Sequence, residues 1–185
     1  IKDSDFVGNI RTEYYDYVKK ISSSENVITD KAPLNFRWIG FIKILFPNSK
    51  IIHCKRDPKD NCLSLYKNIF DEKLDWTYSQ SDIFTFYSAY YNLMKFWKSK
   101  VSEFIYDVNY EKLVLDPNTE IKKLIKFCDL DWDDDCLKFY ENKRPIKTVS
   151  ISQARKPLFK SSISSYENYK SFLKELFLSL DEMSL

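Results

Sequence analysis

A short apolar run that ends in an arginine and a proline constrains this chain most. Residues 50–54, Lys-Ile-Ile-His-Cys, lack the polar alternation of a strand with one wet face. They read as a strand buried on both sides, as parallel strands are. Lys55-Arg56-Asp57 closes the run, and Pro58 opens a helix expected to reach about Phe70, proline being favoured in a first helical turn. A buried strand passing directly into a helix is half of a βαβ unit.

The rest of the chain repeats that alternation. Phe6, Ile10, Tyr14, Tyr17, Val18 and Ile21 fall at helical spacing over 6–22. A short strand is expected near Asn26–Thr29. Asn35 is the expected N-cap of a helix through Phe46, which Pro47-Asn48 ends. After a loop over 71–82, residues 82–100 read as a long aromatic-rich helix, followed by a strand over Phe104–Val108. Asp116-Pro117 starts a helix through Cys128, with Ile121, Leu124, Ile125 and Cys128 on one face. A short helix is expected near Asp133–Glu141. Residues 142–165 show no period, and a stretch that long without structure is usually functional or mobile. Tyr166–Leu180 reads as a closing helix. The order α, β, α, β, α, α, β, α, α predicts an α/β domain with a small parallel sheet flanked by helices. The 185 residues suffice for one domain, so 1–185 is expected to be a single unit.

Composition removes several function classes. A 44% apolar and 30% charged balance suits a folded chain, and no apolar run approaches the ~18 residues of a membrane span. A net charge of +2 argues for no nucleic-acid partner. The N-terminus lacks a signal peptide's apolar core. With no initiator methionine, the chain is expected to be a piece of something longer. Cys54, Cys62, Cys128 and Cys136 form no CxxC pair, and His53 is the single histidine, so no metal site is expected. Four reduced, buried cysteines in a cytoplasmic protein are the simplest reading. With only Gly8 and Gly40, a Gly-rich phosphate loop cannot be built.

In parallel sheets ligands sit beyond the carboxyl ends of the strands. Lys31 follows the first expected strand, Arg56 the second and Tyr110 the third. Arg56 precedes a helix on which Ser64 lies about two turns along, at ~1.5 Å rise per residue. A planar guanidinium and a hydroxyl there could share one phosphate. Alternatively, Arg56 pairs with Asp57 or Asp60. Lys31 could place a point charge on a transferring group, or be a solvated turn lysine. Tyr110 could stack on a base, or sit at the core edge. The basic, hydroxyl-rich stretch 150–160, with Ser150, Arg155, Lys156 and Lys160, could close over a phosphate, or form a solvated flap.

In this order and spacing, Asp30-Lys31-Ala32-Pro33, Lys55-Arg56-Asp57-Pro58 with Ser64, Val108-Asn109-Tyr110-Glu111 and Gln153-Ala154-Arg155-Lys156-Pro157 resemble the sulfotransferases that use 3′-phosphoadenosine 5′-phosphosulfate (PAPS). More narrowly, the chain resembles bacterial enzymes often fused to tetratricopeptide repeats, relatives of tyrosylprotein sulfotransferases. The likeness covers residues from about 10 to 170. It implies a P-loop-like three-layer fold, here incomplete, and transfer of a sulfuryl group to a hydroxyl or amine acceptor. That acceptor is a peptide tyrosine, a glycan or a small molecule. The product is 3′-phosphoadenosine 5′-phosphate (PAP), and no metal is required. Arg56 and Ser64 match the pair that binds the 3′-phosphate. Lys31 matches the lysine that stabilises charge on the sulfuryl group and bridging oxygen. Tyr110 matches a tyrosine at the adenine end. Ser150 and Arg155 match the C-terminal phosphate-contacting loop, where Lys156 and Lys160 add charge.

Two features depart from the family pattern. Its Gly-rich loop, which grips the 5′-phosphosulfate with backbone amides, has no counterpart, and the general base is expected in or near that region. Its Gly-Arg-Trp is replaced by Ser164-Ser165-Tyr166. Taken alone, the chain is therefore expected to bind nucleotide weakly, to be poorly stable and to show no turnover. A non-catalytic nucleotide-binding or interaction module of the same fold is the alternative. A P-loop kinase would need a GxxxxGK[ST] loop that is absent.

Overall fold

The structure is a computed structural model, and it describes residues 4–21, 27–70, 74–142 and 155–183. It is a mostly helical α/β arrangement with a two-stranded parallel sheet. β1 (Ile51–Lys55) pairs with β2 (Ile105–Asn109). The side chains of His53 and Asp107 meet across the two strands at 2.8 Å, and Lys55 Nζ lies 3.6 Å from the other Asp107 oxygen. The chain divides into two compact units, Ile1–Ile51 with Tyr90–Ile105, and Ile52–Ala89 with Tyr106–Leu185.

The first unit holds α1 (Ser4–Ile21), a 3₁₀ turn (Pro33–Trp38), α2 (Ile39–Leu45) and the second half of α4 (Gln80–Val101). Its core is Ile39, Met94, Phe104 and Ile105, with Phe36, Ile42, Tyr90 and Trp97 packed around them. Trp97 Nε1 donates to the Phe36 carbonyl at 2.8 Å, so the indole's polar edge is satisfied while its body fills the core. Arg11 Nε donates to the Leu45 carbonyl at 2.6 Å. A cation thus closes the carboxyl end of α2, where the helix dipole favours one.

Three expectations fail here. Asn35 is no N-cap. Pro33, with φ pre-set for a turn, starts the 3₁₀ segment two residues earlier, and Asn35 lies inside it, its amide bonded to the Ala32 carbonyl. α2 consequently starts only at Ile39. No strand forms at the expected first position: residues 27–29 have no regular structure, Val27 and Ile28 are exposed, and Asn26 lies outside the described residues. A short β segment is stable only when paired, and β1 and β2 pair with each other. For the same reason β1 is not buried on both faces; Ile52 and Cys54 are exposed, Ile51 and His53 half-buried.

The second unit holds α3 (Pro58–Lys67), the first half of α4, α5 (Tyr110–Leu115), α6 (Pro117–Phe127) and α7 (Lys174–Met183). Cys62, Leu63, Ile83, Leu176 and Leu180 are buried in it. The three helices α3, α5 and α6 are capped by their own sequence. Asp57 accepts from the amides of Lys59 and Asp60, Asn109 from Lys112, and Asp116 from Thr119. α5 has only six residues, too few for a period to show. Asp134–Glu141 is a 3₁₀ segment rather than a helix with an α period. The expected closing helix over 166–180 is instead a 3₁₀ turn (Ser165–Tyr169) followed by α7. Of the four cysteines only Cys62 is buried; Cys128 and Cys136 are half-buried and Cys54 is exposed.

Candidate functional site

The site is built where β1 ends and α3 begins, entirely within the second unit. Asp57 turns the chain. Its carboxylate caps α3, and its amide donates to Glu111 Oε1 at 2.8 Å, tying the β1–α3 turn to the first turn of α5. Arg56, one residue earlier, is half-buried. Its Nη2 donates to the Ser162 carbonyl at 2.6 Å, and the guanidinium carbon lies 5.3 Å from the centre of the Tyr110 ring, within cation–π range. Its Nε is buried and has no hydrogen-bond partner among the described residues. Neither Asp57 nor Asp60 pairs with it: the first is the helix cap, the second is occupied elsewhere.

Asp60 is 1% exposed, in the first turn of α3. Its Oδ2 accepts from the Ser164 amide at 2.7 Å, and its Oδ1 accepts from the Ser165 hydroxyl at 2.8 Å and the Tyr166 amide at 2.9 Å. Lys59 pairs with Asp181 of α7 at 2.7 Å and sits 5.2 Å from the centre of the Tyr166 ring. Tyr166 packs edge-on against Phe177. Its hydrogen bond to Glu167, together with burial and the charges of Glu167, Asp57 and Asp60, pushes the phenol up to about 12. The turn over 160–166 is therefore held on the N-terminal end of α3 by side chains reaching from both directions.

The other sequence candidates fall as follows. Tyr110, the first residue of α5, is half-buried and carries the Arg56 guanidinium. Ser64 is half-buried on α3; Asn68 Nδ2 donates to its carbonyl at 2.6 Å and approaches its hydroxyl at 3.4 Å. It makes no direct bond to Arg56 among the described residues. Arg155 is half-buried, and Lys156 and Lys160 are exposed. Ser150 lies outside the described residues. Lys31 belongs to the first unit, exposed in the irregular segment before Pro33. Its neighbour Asp30 accepts from the Tyr14 hydroxyl at 3.2 Å, and burial and that carboxylate raise the Tyr14 phenol.

Sequence reasoning missed Asp60, Glu111 and the Ser162 carbonyl. An acid in a first helical turn ordinarily serves the dipole, and nothing local shows that it will meet residues 104 to 106 positions later. Among the described residues no three histidine, cysteine or acidic side chains come together as a metal site, and no helix is long and apolar enough to cross a membrane.

A half-buried guanidinium at a strand's carboxyl end, with a buried donor left open among the described residues and a helix start beside it, is an arrangement able to hold an anion. Residues 5–134 match the sulfotransferase family, and the chain belongs to it. A curated relative, an uncharacterized protein of Aquifex aeolicus (strain VF5), is 34% identical over 172 residues, 91% of this chain. The chain spans only about a quarter of that protein, 23% of its length.

Proposed function

We propose that the chain forms the 3′-phosphate and adenine side of a PAPS-dependent sulfotransferase site. The single observation that carries this reading is the buried Nε of Arg56, which has no hydrogen-bond partner among the described residues. A buried donor without an acceptor costs about 1–3 kcal/mol, and an anion in the site would offset that cost. The donor set fits a phosphate: one planar guanidinium, already oriented by the Ser162 carbonyl and the Tyr110 ring, with the Ser64 hydroxyl two turns along the adjoining helix. In this reading Arg56 and Ser64 hold the 3′-phosphate and Tyr110 lies at the adenine end. Ser150, Arg155 and Lys156 add donors and charge from the C-terminal loop.

Membership of the family supports the following course of reaction. A hydroxyl or amine of the acceptor gives its proton to the general base expected near the family's Gly-rich loop and attacks sulfur, the bond from sulfur to the 5′-phosphate oxygen breaks, and PAP leaves. Lys31 stabilises the charge that builds on the transferring group. The family implies a P-loop-like three-layer fold, of which residues 1–185 form part of one domain. The acceptor is a peptide tyrosine, a glycan or a small molecule.

Titration calorimetry with PAP tests the reading. The wild-type chain should bind weakly but measurably, and Arg56→Ala should weaken binding further by about 2–4 kcal/mol, the loss of a desolvated charge pair. Equal affinity in the two proteins would overturn it.

A further inference from the structure

Arg56 and Asp60 stand four residues apart at one end of α3 and grip the same short turn. Arg56 holds the carbonyl of Ser162; Asp60 holds the amides of Ser164 and Tyr166 and the hydroxyl of Ser165. Asp60 is the more deeply buried of the two. No lysine or arginine nitrogen lies within ion-pair distance of it among the described residues, so its charge is balanced by three hydrogen-bond donors alone. Such donors are stronger when the acceptor is charged, and breaking one partner of a buried network is costly.

The turn it holds is strained. Ser164 has φ 56° and ψ 24°, the left-handed region that L-residues seldom enter because Cβ crowds the following carbonyl oxygen. Without Asp60 nothing else among the observed hydrogen bonds joins 164–166 to α3. The Ser162 carbonyl, two residues from Ser164, would then lose its fixed position, and with it the acceptor that aims the Arg56 guanidinium.

We infer that Asp60 is a positioning residue for the nucleotide's 3′-phosphate: it fixes the 162–166 turn, whose Ser162 carbonyl orients Arg56. The proposal rests on the reading of Arg56 given above. Asp60 touches no substrate; it acts through the turn. Asp60→Asn keeps the size of the side chain, but turns one acceptor into a donor that faces an amide or hydroxyl donor. Ser165→Ala keeps the carboxylate and removes a single bond.

The test is calorimetry with two probes, PAP and adenosine 5′-phosphate, which lacks the 3′-phosphate, on wild type, Asp60→Asn, Ser165→Ala and Arg56→Ala, with urea unfolding of each. Asp60→Asn should weaken PAP about tenfold or more and leave adenosine 5′-phosphate within about twofold. Ser165→Ala should fall between it and wild type. A purely structural role would weaken both nucleotides together, and that result overturns the proposal, as does wild-type PAP affinity in Asp60→Asn. Should Asp60→Asn not fold, Ser165→Ala carries the same test, and equal losses for the two nucleotides, or no loss for PAP, overturn it. The failure of the underlying reading looks different: Arg56→Ala then binds PAP as tightly as wild type.

Discussion

Arg56 reaches across 106 positions of sequence to donate from Nη2 to the carbonyl oxygen of Ser162 at 2.6 Å, while its Nε is buried with no partner among the described residues. A residue selected only for stability would have both donors satisfied or its nitrogen in water. Arg56→Met tests that contrast. Methionine keeps the stem's packing, removes the orphan donor and loses one hydrogen bond to Ser162, so the opposing terms nearly cancel. Unfolding free energy in urea should stay within about 1 kcal/mol of wild type, while PAP binding disappears. A stability loss above about 3 kcal/mol would instead mark the side chain as a structural bolt.

Among the described residues Ser164 is one of two non-glycine residues with a left-handed backbone, the other being Asp129. Its amide, not its side chain, meets Asp60, and its side chain is exposed. Ser164→Gly therefore keeps every observed bond and removes the steric cost of the left-handed region. It also adds freedom to the unfolded chain, worth about 0.5–1 kcal/mol in the opposite direction. The melting temperature should hold or rise slightly. Ser164→Val, β-branched in the same backbone region, should cost more than about 1 kcal/mol. The stability order Gly ≥ Ser > Val, read by thermal unfolding, checks the geometry of the turn; a valine variant as stable as wild type would contradict it.

The parts of this architecture that local rules govern were legible in the residues. Pro58 and Asp57 mark the start of α3, Asp116-Pro117 that of α6, and the apolar spacing of Phe6 to Ile21 fits α1. The strands near 51 and 105 are visible as short apolar runs. What local rules do not reach are partners distant in sequence. Whether Val27 and Ile28 form a strand depends on a neighbour, and whether KIIHC is covered on both faces depends on its sheet; both were misread for that reason. Asp60 is the clearest case. Before α3 meets 164–166 it is indistinguishable from Asp82 of α4, another first-turn acid, which is exposed. Arg56 and Tyr110 were singled out because both follow strands, and they do meet, although what Arg56 binds beyond Ser162 is a matter for the titrations above.

Gly40 lies on α2 beneath the indole of Trp97. A Cβ built there would stand 2.7 Å from Trp97 Cη2 and 2.8 Å from Cζ3. The ring cannot simply swing aside, because its Nε1 is bonded to the Phe36 carbonyl and its faces pack in the first unit's core. Gly40→Ala should therefore destabilise by about 1–3 kcal/mol, an overpacking penalty that outweighs alanine's better helix propensity. In Trp97→Leu the obstruction is gone, and adding Gly40→Ala to that background should be neutral or stabilising. A double-mutant cycle in urea measures the sign change, and additive effects would show that the two side chains do not compete for the same space.

Cys62 is fully buried on α3, and burial, aided by the nearby negative charge of Asp57, pushes its thiol from the ordinary 9 up to about 12. In the unfolded chain the same thiol ionises near its ordinary value. Between those two pH values the unfolded state releases a proton that the folded state retains, so folding stability falls as pH rises through the window. Cys62→Ala removes this term and should flatten the alkaline limb of the stability profile, at the expense of a small cavity. The same burial governs reactivity, since the thiolate is the nucleophile. With iodoacetamide at mildly alkaline pH, Cys54 should be alkylated first because it is exposed, although partial desolvation still raises its thiol. Cys62 should remain unmodified until urea unfolds the chain. Mass spectrometry of tryptic peptides reads both sites at once, and alkylation of Cys62 in the native protein at a rate matching Cys54 would show that α3 is not packed as described.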